Sequence, residues 1–520
     1  MKLYRNHFCL LIIPALTAFF FLYSSAHAQT KDGASQPDGS KEERPQTVKE
    51  DPDKADQIER LKAKIDRLES LVDRQQKLLT EMEGRLQKVE GKSAPHALIA
   101  SSLKSESMID ARPDAEIGML ESRKPAAGAL RADDETQNSS AITAGWDKDG
   151  HAYLKNADGS FETNIVGYGQ IDFRGYQSGV HPPNTFLIRR ARLGVEGKVF
   201  QYFDYRVQGD FADRDSALLR DFYVNVHRIE EFQLRFGQFK EPFGQENLHS
   251  ALALDFVERS LLSNLVPDRS PGIMLSGSLD NGVFEYSVGI FNGKGILEPN
   301  NNGTPESVVR LRVAPWKNGD ASWSKGLIFG GAYAQGREID GFSVRGQTES
   351  RSFSFFDSIS VNGKVSRANA EAAWLCGPAS IRAEYVQTNQ ERERLGLAGT
   401  DLPGVVAKGY LTQLTYLLTG EAKPDGKPVT PRRDLFSSEN GKPGLGAWEL
   451  KLRYSNLQIS DSTPNSNRAG SLYFGANWYL NSFVKYQLDF GFERFKDPLR
   501  TPNPGDRNFF AMLSRVQLTF

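Results

Sequence analysis

Residues 161–520 alternate between apolar and polar side chains in runs of about ten residues. In Trp448–Tyr454 (WELKLRY), Trp, Leu, Leu and Tyr share one face, while Glu, Lys and Arg share the other. A period of two predicts β-strands, and clusters of Gly, Asn, Asp and Pro separate the runs. Sixteen runs begin near Thr163, Phe186, Tyr202, Ala217, Glu231, Gly272, Gly282, Glu306, Lys325, Ser366, Ala379, Val405, Ala447, Gly470, Ser482 and Asn508.

The length of these runs indicates the class of β-protein. Strands of a β-sandwich are typically about 5–6 residues long, whereas a tilted strand needs about 9–11 residues to cross a bilayer. Lipid cannot hydrogen-bond a free strand edge, so a sheet in a membrane must close. We therefore predict an all-β fold, in which residues 161–520 form a 16-stranded antiparallel transmembrane β-barrel preceded by a short α-helical coiled coil.

The connections between the predicted strands differ in length. Connections after even-numbered strands are mostly tight turns, and several after odd-numbered strands are long, which is the asymmetry of outer-membrane barrels. The long ones are 240–271, 292–305, 336–365 and 390–404. The connection 418–446 is also long, although it follows an even-numbered strand. Either it is an exception, or the strand count shifts by one at that point.

The N-terminus predicts export. Lys2 and Arg5 precede the apolar run Phe8–Leu22, and Ala26-His27-Ala28 forms a small-residue cleavage site. We predict a signal peptide over residues 1–28, with a signal anchor as the alternative. Residues 29–55 are polar and rich in Pro, Gly, Ser, Lys and Glu, which predicts a disordered linker.

Residues 56–90 carry a heptad pattern. Nine of its ten a and d positions are apolar: Ile58, Ile65, Val72, Leu79 and Leu86 at a, and Leu61, Leu68, Gln75, Met82 and Val89 at d. An apolar stripe confined to the a and d positions predicts a periplasmic coiled coil that oligomerises. The alternative is a single amphipathic helix packed on a domain. Residues 91–160 lose this periodicity, and we predict a flexible linker.

Composition limits the functional classes. The formal net charge of −1 argues against a general nucleic-acid binder, so any charge effect must be local. The seven histidines form no closely spaced ligand set, and we recognise no arrangement of nucleophile and base. We therefore predict a protein that is not an enzyme and has no cofactor or metal site.

Basic side chains occupy the polar faces of several predicted strands. In Phe186–Phe211 (FLIRRARLGVEGKVFQYFDYRVQGDF), the alternation places Arg190, Arg192 and Arg206 opposite the aliphatic positions. A lipid-facing arginine at mid-membrane costs roughly 2–4 kcal/mol, so we predict that these side chains face the lumen. Arg189 breaks the alternation, and we expect it to reach the membrane interface. The same reasoning places further arginines in the lumen: Arg235, Arg310 and Arg312.

Arginines in a water-filled pore raise the local concentration of anions and can chelate phosphate oxygens. These residues are therefore candidates for an anion-binding, pore-lining site. The alternative is that they pair with carboxylates of the lumen and only hold a wet interior together. The candidate carboxylates are Glu196, Asp210, Asp221, Glu384 and Glu449.

Segments from nearly every predicted strand resemble the phosphate-selective porin O and P family. Besides Phe186–Phe211 they include LLRDFYVNV (218–226), EFQLRFGQFKEPFG (231–244), VPDRSPGIML (266–275), GIFNG (289–293), GAWELKLRYS (446–455) and NWYLN (477–481). The resemblance covers roughly residues 160–520. It implies a sixteen-stranded homotrimeric porin whose third extracellular loop, here 240–271, folds into the lumen and narrows it.

The resemblance also bears on the solute. Phosphate-specific members carry a lysine and paired serines in the constriction loop, where residues 246–251 here read ENLHSA. Asn247 and Ala251 replace the lysine and one serine, while Arg259 matches a basic loop position. We predict an outer-membrane porin for passive diffusion of small anions, with phosphate or polyphosphate as candidates. The alternatives are a general non-selective porin and a structural protein that tethers the envelope through its coiled coil.

The last residues predict how the barrel is inserted. Arg515–Phe520 (RVQLTF) alternates and ends in phenylalanine, which is the usual signature read by the outer-membrane insertion machinery. The predicted partners are therefore outer-membrane lipid, this machinery, two further copies of the chain and small anionic solutes, with no nucleic acid.

Overall fold

The computed structural model describes residues 142–146, 151–177, 182–212, 218–439, 442–460 and 467–520, and sixteen long antiparallel strands dominate this part of the chain. Each predicted run begins within one of these strands or at most two residues before it. Their bounds are β1 (Phe161–Tyr176), β2 (Thr185–Val199), β3 (Phe203–Asp210), β4 (Leu219–Ile229), β5 (Phe232–Lys240), β6 (Arg269–Leu279), β7 (Phe284–Phe291), β8 (Glu306–Val313), β9 (Leu327–Phe342), β10 (Ser360–Cys376), β11 (Ala379–Arg392), β12 (Leu402–Leu417), β13 (Ala447–Ser460), β14 (Asn467–Tyr479), β15 (Val484–Phe495) and β16 (Asn508–Thr519).

The sheet closes on itself because the last strand pairs with the first. Ala511–Thr519 of β16 lies antiparallel to Tyr168–Tyr176 of β1. Gly167 and Phe520 then exchange backbone hydrogen bonds of 2.8 and 3.0 Å. All other barrel strands pair with their neighbours in sequence. The predicted 16-stranded antiparallel barrel is thus confirmed, and its ladder is continuous around the barrel, as a sheet in lipid requires.

Side-chain exposure in the barrel is the reverse of that in a soluble protein. On β13, Lys451 and Arg453 are 4% and 2% exposed, whereas their neighbours Leu450 and Leu452 are 49% and 41% exposed. Soluble proteins bury the aliphatic residues and expose the charged ones. The alternation has therefore placed the polar face in the lumen and the apolar face outside, as predicted.

The structure corrects the end of the predicted flexible linker over residues 91–160. Ile142–Trp146 and Ala152–Asn156 form a hairpin, and the second of these strands pairs with the first residues of β1, from Glu162 to Ile165. Strand β16 ends opposite Tyr168, so it leaves this part of the edge of β1 unpaired. The hairpin supplies the missing partner. Its five-residue strands are too short to show a clear alternation in the sequence.

Two long connections fold into the lumen and form the core there. We call them L3 (residues 241–268) and L5 (residues 343–359). Their phenylalanines and leucines pack with inward side chains of the wall in the largest apolar cluster, where Phe243, Leu261 and Phe356 are fully buried. The short elements of the connections are helix α1 (Gln245–Leu248), three 3₁₀ turns (Leu261–Asn264, Asp280–Gly282 and Leu397–Gly399), and the paired strands Gly346–Gln347 with Ser354–Phe356 and Ser438–Glu439 with Lys442–Pro443. The inward position of L3 agrees with the resemblance, and that of L5 was not predicted.

The connection 418–446, which we call the inner connection, is a real exception to the pattern of short turns. Strand β12 ends at Leu417 and β13 begins at Ala447, so the strand count does not shift there. Val429 packs against Leu417, Ala447 and Tyr479. The extra length of the segment lets it fold back and pack on the barrel.

Three predictions lie outside the described residues: the signal peptide over residues 1–28, the linker over 29–55 and the coiled coil over 56–90. They remain predictions. Within the described ranges, no helix is long and apolar enough to cross a membrane.

Candidate functional site

L3 lies against one side of the barrel, the inward side chains of β13–β16, which we call the covered wall. The backbone amide of Val257 donates to Asp489 Oδ2 at 2.7 Å, and Lys451 Nζ donates to the backbone oxygen of Asp255 at 2.8 Å. Arg515 donates to the backbone oxygen of Val257. The covered wall therefore satisfies the polar backbone of the loop and holds it to one side of the lumen.

Glu258 is the main ionic anchor of L3. Its carboxylate lies 2.5 Å from both Arg174 Nη2 and Arg189 Nε, and 3.5 Å from Arg515 Nη2. Burial opposes ionisation of this group, but Arg189, Arg174 and Arg190 together hold the pKa of Glu258 well below its usual value. The anchor is therefore a buried carboxylate that stays charged.

The prediction that Arg189 reaches the membrane interface is wrong. Gln170 of β1 pairs with Arg190, but the next residue, Ile171, pairs with Ile188. Arg189 is thus the extra residue of a β-bulge, which turns two successive arginines towards the lumen. A break in the alternation was the only sign of this bulge in the sequence.

A cavity of about 670 Å³ remains between L3 and the opposite side of the barrel. That side consists of the inward side chains of β2–β8, which we call the open wall. Ten arginines and one lysine line the cavity, against three aspartates. Six of the seven predicted site residues are among them: Arg190, Arg192, Arg206, Arg235, Arg259 and Arg310. The cavity therefore carries a large excess of positive charge.

Three of the six predicted arginines in the cavity pair with carboxylates of the lumen. Arg192 Nε lies 2.8 Å from Asp210, and Arg206 Nη1 lies 3.2 Å from Glu196. Arg310 pairs with Glu371. For these residues the pairing alternative holds, although the side chain of Arg206 is still 33% exposed to the cavity.

Two predicted arginines have no carboxylate partner in the part of the chain that the structure describes. The guanidinium of Arg235 lies 4.4 Å from the ring centroid of Tyr223, and Arg259 donates to the backbone oxygens of Asn247 and His249. Arg190 is intermediate, because it donates to Gln170 at 2.7 Å and lies 3.9 Å from Glu258. The charges of Arg235 and Arg259 are therefore not neutralised by a direct ion pair within the described ranges.

The seventh predicted residue, Arg312, lies outside the cavity. It contacts Glu285 at 2.9 Å and also Asp425 of the inner connection. Of the predicted carboxylates, Asp221 pairs with Arg269 at 2.9 Å, and Glu449 pairs with Lys423. The fifth, Glu384, accepts hydrogen bonds from the amide of Glu246 and from Asn369, both at 3.0 Å.

The constriction loop faces the cavity with only part of residues 246–251. Asn247, Leu248, Ser250 and Ala251 line the cavity. Glu246 turns away from it to Arg453, at 3.0 Å, and His249 faces Asp425 at 3.8 Å. The two positions that depart from the phosphate-specific pattern, Asn247 and Ala251, therefore do lie beside the cavity.

Sequence reasoning missed several basic residues of the cavity. They are Lys240, Arg189, Arg220, Arg269 and Arg351. Lys240 ends β5 and donates to backbone oxygens of L3, and Arg351 of L5 donates to Gln347 at 3.1 Å. Arg189 occupies a β-bulge, and Lys240, Arg220 and Arg269 lie at strand ends out of phase with the inward positions. Arg351 belongs to a loop whose inward path has no periodic signal.

The chain is similar to known proteins in sequence and in structure. Residues 163–520 match the sequence model of the family described as phosphate-selective porin O and P. Porin O of Pseudomonas aeruginosa is 23% identical over 413 residues, which cover 71% of this chain and 90% of that protein. The anion-selective porin from Comamonas acidovorans aligns with a TM-score of 0.45 at 10% identity, covering 69% of this chain and 99% of that one. The outer membrane channel DcaP of Acinetobacter baumannii aligns with a TM-score of 0.44 at 11% identity, covering 70% and 99%.

The family match includes all sixteen barrel strands, apart from the first two residues of β1, together with L3 and L5. It therefore includes every element that lines the cavity except the hairpin residue His151. The chain belongs to the phosphate-selective porin O and P family and is an outer-membrane porin.

Proposed function

We propose that this porin conducts small anions in preference to cations through the arginine-lined cavity. The observation that carries the proposal is the charge of the lining, with ten arginines and one lysine against three aspartates. Fixed cations in a narrow, low-dielectric passage concentrate anions and exclude cations. Arg235 and Arg259 contribute directly, since neither has a carboxylate partner among the described residues.

Phosphate is a candidate solute within this proposal. Arginine can bind phosphate oxygens through two parallel hydrogen bonds, and Arg235 and Arg259 both line the cavity. The family to which the chain belongs is named for phosphate, and one relative is named Porin O. Asn247 and Ala251 weigh against specificity, because neither supplies the cation or hydroxyl of the phosphate-specific pattern. We therefore propose anion preference first and phosphate binding as its finer form.

The test is planar-bilayer recording of the purified full-length protein. Reversal potentials in a KCl gradient should show that chloride is more permeant than potassium, and a reversal potential of the opposite sign would refute the proposal. A reversal potential near zero would favour a non-selective porin. Titration with phosphate then addresses the finer claim, because a specific site predicts block of the chloride current at millimolar phosphate.

We further propose that the chain forms a homotrimer, and that the outer-membrane insertion machinery recognises its C-terminal Phe520. The heptad pattern of residues 58–89 supports self-association. Deleting residues 58–89 should weaken the oligomer, measured by light scattering, and leave single-channel conductance intact. Loss of envelope attachment with normal conductance would instead favour the tethering role.

A further inference from the structure

The inner connection enters the lumen from the side opposite to L3 and meets it there. Lys423 is 8% exposed and contacts the carboxylates of both Asp255 in L3 and Glu449 in β13. These carboxylates outweigh the effect of burial and raise the pKa of Lys423 above its usual value. Together with the packing of Val429 on the barrel, this ion pair fixes the segment at two points.

Asp425 is held between these two anchors and meets two arginines from separate strands. Arg382 Nη1 of β11 donates to its carboxylate at 2.9 Å, and Arg312 Nη2 of β8 contacts the other oxygen. His249 Nε2 of L3 lies 3.8 Å away. One carboxylate of a connection thus sits where two lumen-facing guanidiniums converge, and an arginine pair is the ordinary means of holding an anion.

The charges at this place favour an anion. Burial opposes ionisation of Asp425, but Arg382 and Arg312 hold its pKa below the usual value. Burial and the nearby Arg382 lower the pKa of His249 to about 3, so its imidazole is neutral and adds no positive charge. Without the carboxylate of Asp425, Arg382 would have no ion pair in the described part of the chain, and Arg312 would keep only Glu285.

The place is also partly open to water and lies next to a second cavity. The side chain of Asp425 is 30% exposed and that of Arg312 is 16% exposed. A second cavity of about 190 Å³ is lined by Glu285, the other partner of Arg312, and by Arg310, which also lines the larger cavity. Lys423 and Val429 already anchor the segment, so the carboxylate of Asp425 is not needed merely to keep the segment in place.

We propose that Arg312 and Arg382 form a second anion-binding site of this channel, suited to small carboxylates and halides, and that Asp425 is its tethered occupant. This inference rests on the proposed anion conduction, because it concerns a further site on the same route. The carboxylate of Asp425 competes with permeating anions for the two arginines. Its removal exposes a binding site that the native channel keeps filled.

The experiment uses acetate, which has the same carboxylate group as the aspartate side chain, as a probe. Chloride current through the wild type and Asp425→Asn is titrated with acetate in planar bilayers. Asp434→Asn is the matched control, because Asp434 lies in the same connection and is exposed. Both variants lose one negative charge, so any difference between them reports the position of that charge.

We expect the acetate concentration for half-inhibition to fall roughly fivefold or more in Asp425→Asn. The substitution removes a fixed negative charge, which makes the electrostatic potential at the two arginines more positive and so more attractive to acetate. It should remain at the wild-type value in Asp434→Asn. Adding Arg312→Gln to Asp425→Asn should reverse the gain. Equal inhibition by acetate of the wild type, Asp425→Asn and Asp434→Asn would overturn the proposal.

Two other results are informative. A larger conductance for chloride and potassium alike, with unchanged acetate inhibition, would show that Asp425 only holds the connection in place, which also overturns the inference. A cation-selective wild type would refute the proposed function itself. This selectivity is measured from the reversal potential of the wild type before any variant is made. The two failures are therefore distinguishable.

Discussion

The covered wall and the open wall come from the same sequence pattern but have different environments. Both consist of alternating strands with basic residues on the inner face. On the covered wall, Arg515 is fully buried between Asp172 and the backbone of L3. On the open wall, Arg206 keeps a third of its side chain exposed and Arg235 has no ion pair among the described residues. One set of cations holds a loop, and the other set remains available to solutes.

The difference arises from the path of L3 and not from the strands. L3 places the carboxylate of Glu258 and several backbone oxygens, among them that of Asp255, near the covered wall, where they neutralise or satisfy its cations. An ion pair buried in this way is costly to break, whereas an exposed pair contributes little. The comparison therefore predicts opposite effects of similar substitutions on the two walls.

The largest expected effect is on stability at the covered wall. Arg515 Nε and Nη2 lie 2.6 and 2.8 Å from the two oxygens of Asp172, and both side chains are fully buried. Arg515→Met removes two hydrogen bonds from that buried carboxylate and leaves it paired only with Arg174, at 3.0 Å, among the described residues. We expect it to lower the free energy of unfolding by about 3 kcal/mol, the lower end for breaking a buried ion pair. Urea titration of the refolded barrel in detergent would measure this.

The control for that change is Arg206→Met on the open wall. Its pair with Glu196 is 3.2 Å long and about one third exposed, so the loss should be at most about 1 kcal/mol. Equal losses for the two variants would show that the two walls do not differ in the way described.

The second effect is on the pH dependence of the loop anchor. The pKa of Glu258 is well below its usual value of 4.5 in the folded protein. Its stabilisation is therefore fully present above pH 4.5 and is lost as the pH falls through the lower folded value. One such group contributes a slope of up to about 1.4 kcal/mol per pH unit in this acid range. Unfolding free energies measured in steps below pH 4.5 should decline more steeply for the wild type than for Glu258→Gln.

Glu298→Gln is the matched variant for this measurement, because it removes an exposed loop carboxylate. Its pH profile should follow that of the wild type. If Glu258→Gln retained the full acid slope, other carboxylates would be responsible and Glu258 would not be the anchor.

The third effect is on conduction through the open wall. Arg235 lines the cavity and its charge has no carboxylate partner in the described ranges. Arg235→Gln should lower the chloride conductance at low salt roughly two- to threefold and move the reversal potential towards zero, because the local anion concentration falls with the fixed charge. Arg507→Gln, which removes an exposed charge of an extracellular loop, should change neither quantity. A conductance equal to that of the wild type would place the ion route elsewhere.

The sequence was sufficient for the barrel and for the side of each strand that faces the lumen. Alternation is a local property, so the positions of Lys451, Arg453 and Arg235 followed from their neighbours alone. The sequence was not sufficient to tell the two walls apart. That distinction depends on where L3 and L5 run, and their contacts join residues far apart in the chain, such as Arg453 with Glu349. For the same reason Arg312 could be placed in the lumen but not beside Asp425 of the inner connection.

The smallest effect concerns the carboxylate partners on the open wall. Glu196 is 39% exposed and pairs with Arg206 across β2 and β3. Glu196→Gln should change the free energy of unfolding by less than about 1 kcal/mol, since both groups are partly hydrated. It should also raise the chloride-to-potassium permeability ratio slightly, because Arg206 then faces the cavity without a neutralising charge. Reversal potentials and urea titration of the same preparation measure both quantities. The corresponding change beside the covered wall is Asp172→Asn, in β1, which removes the charge that pairs with Arg515. It should instead destabilise the barrel and leave selectivity unchanged. A covered-wall variant that altered selectivity without loss of stability would mean that ions also pass behind L3.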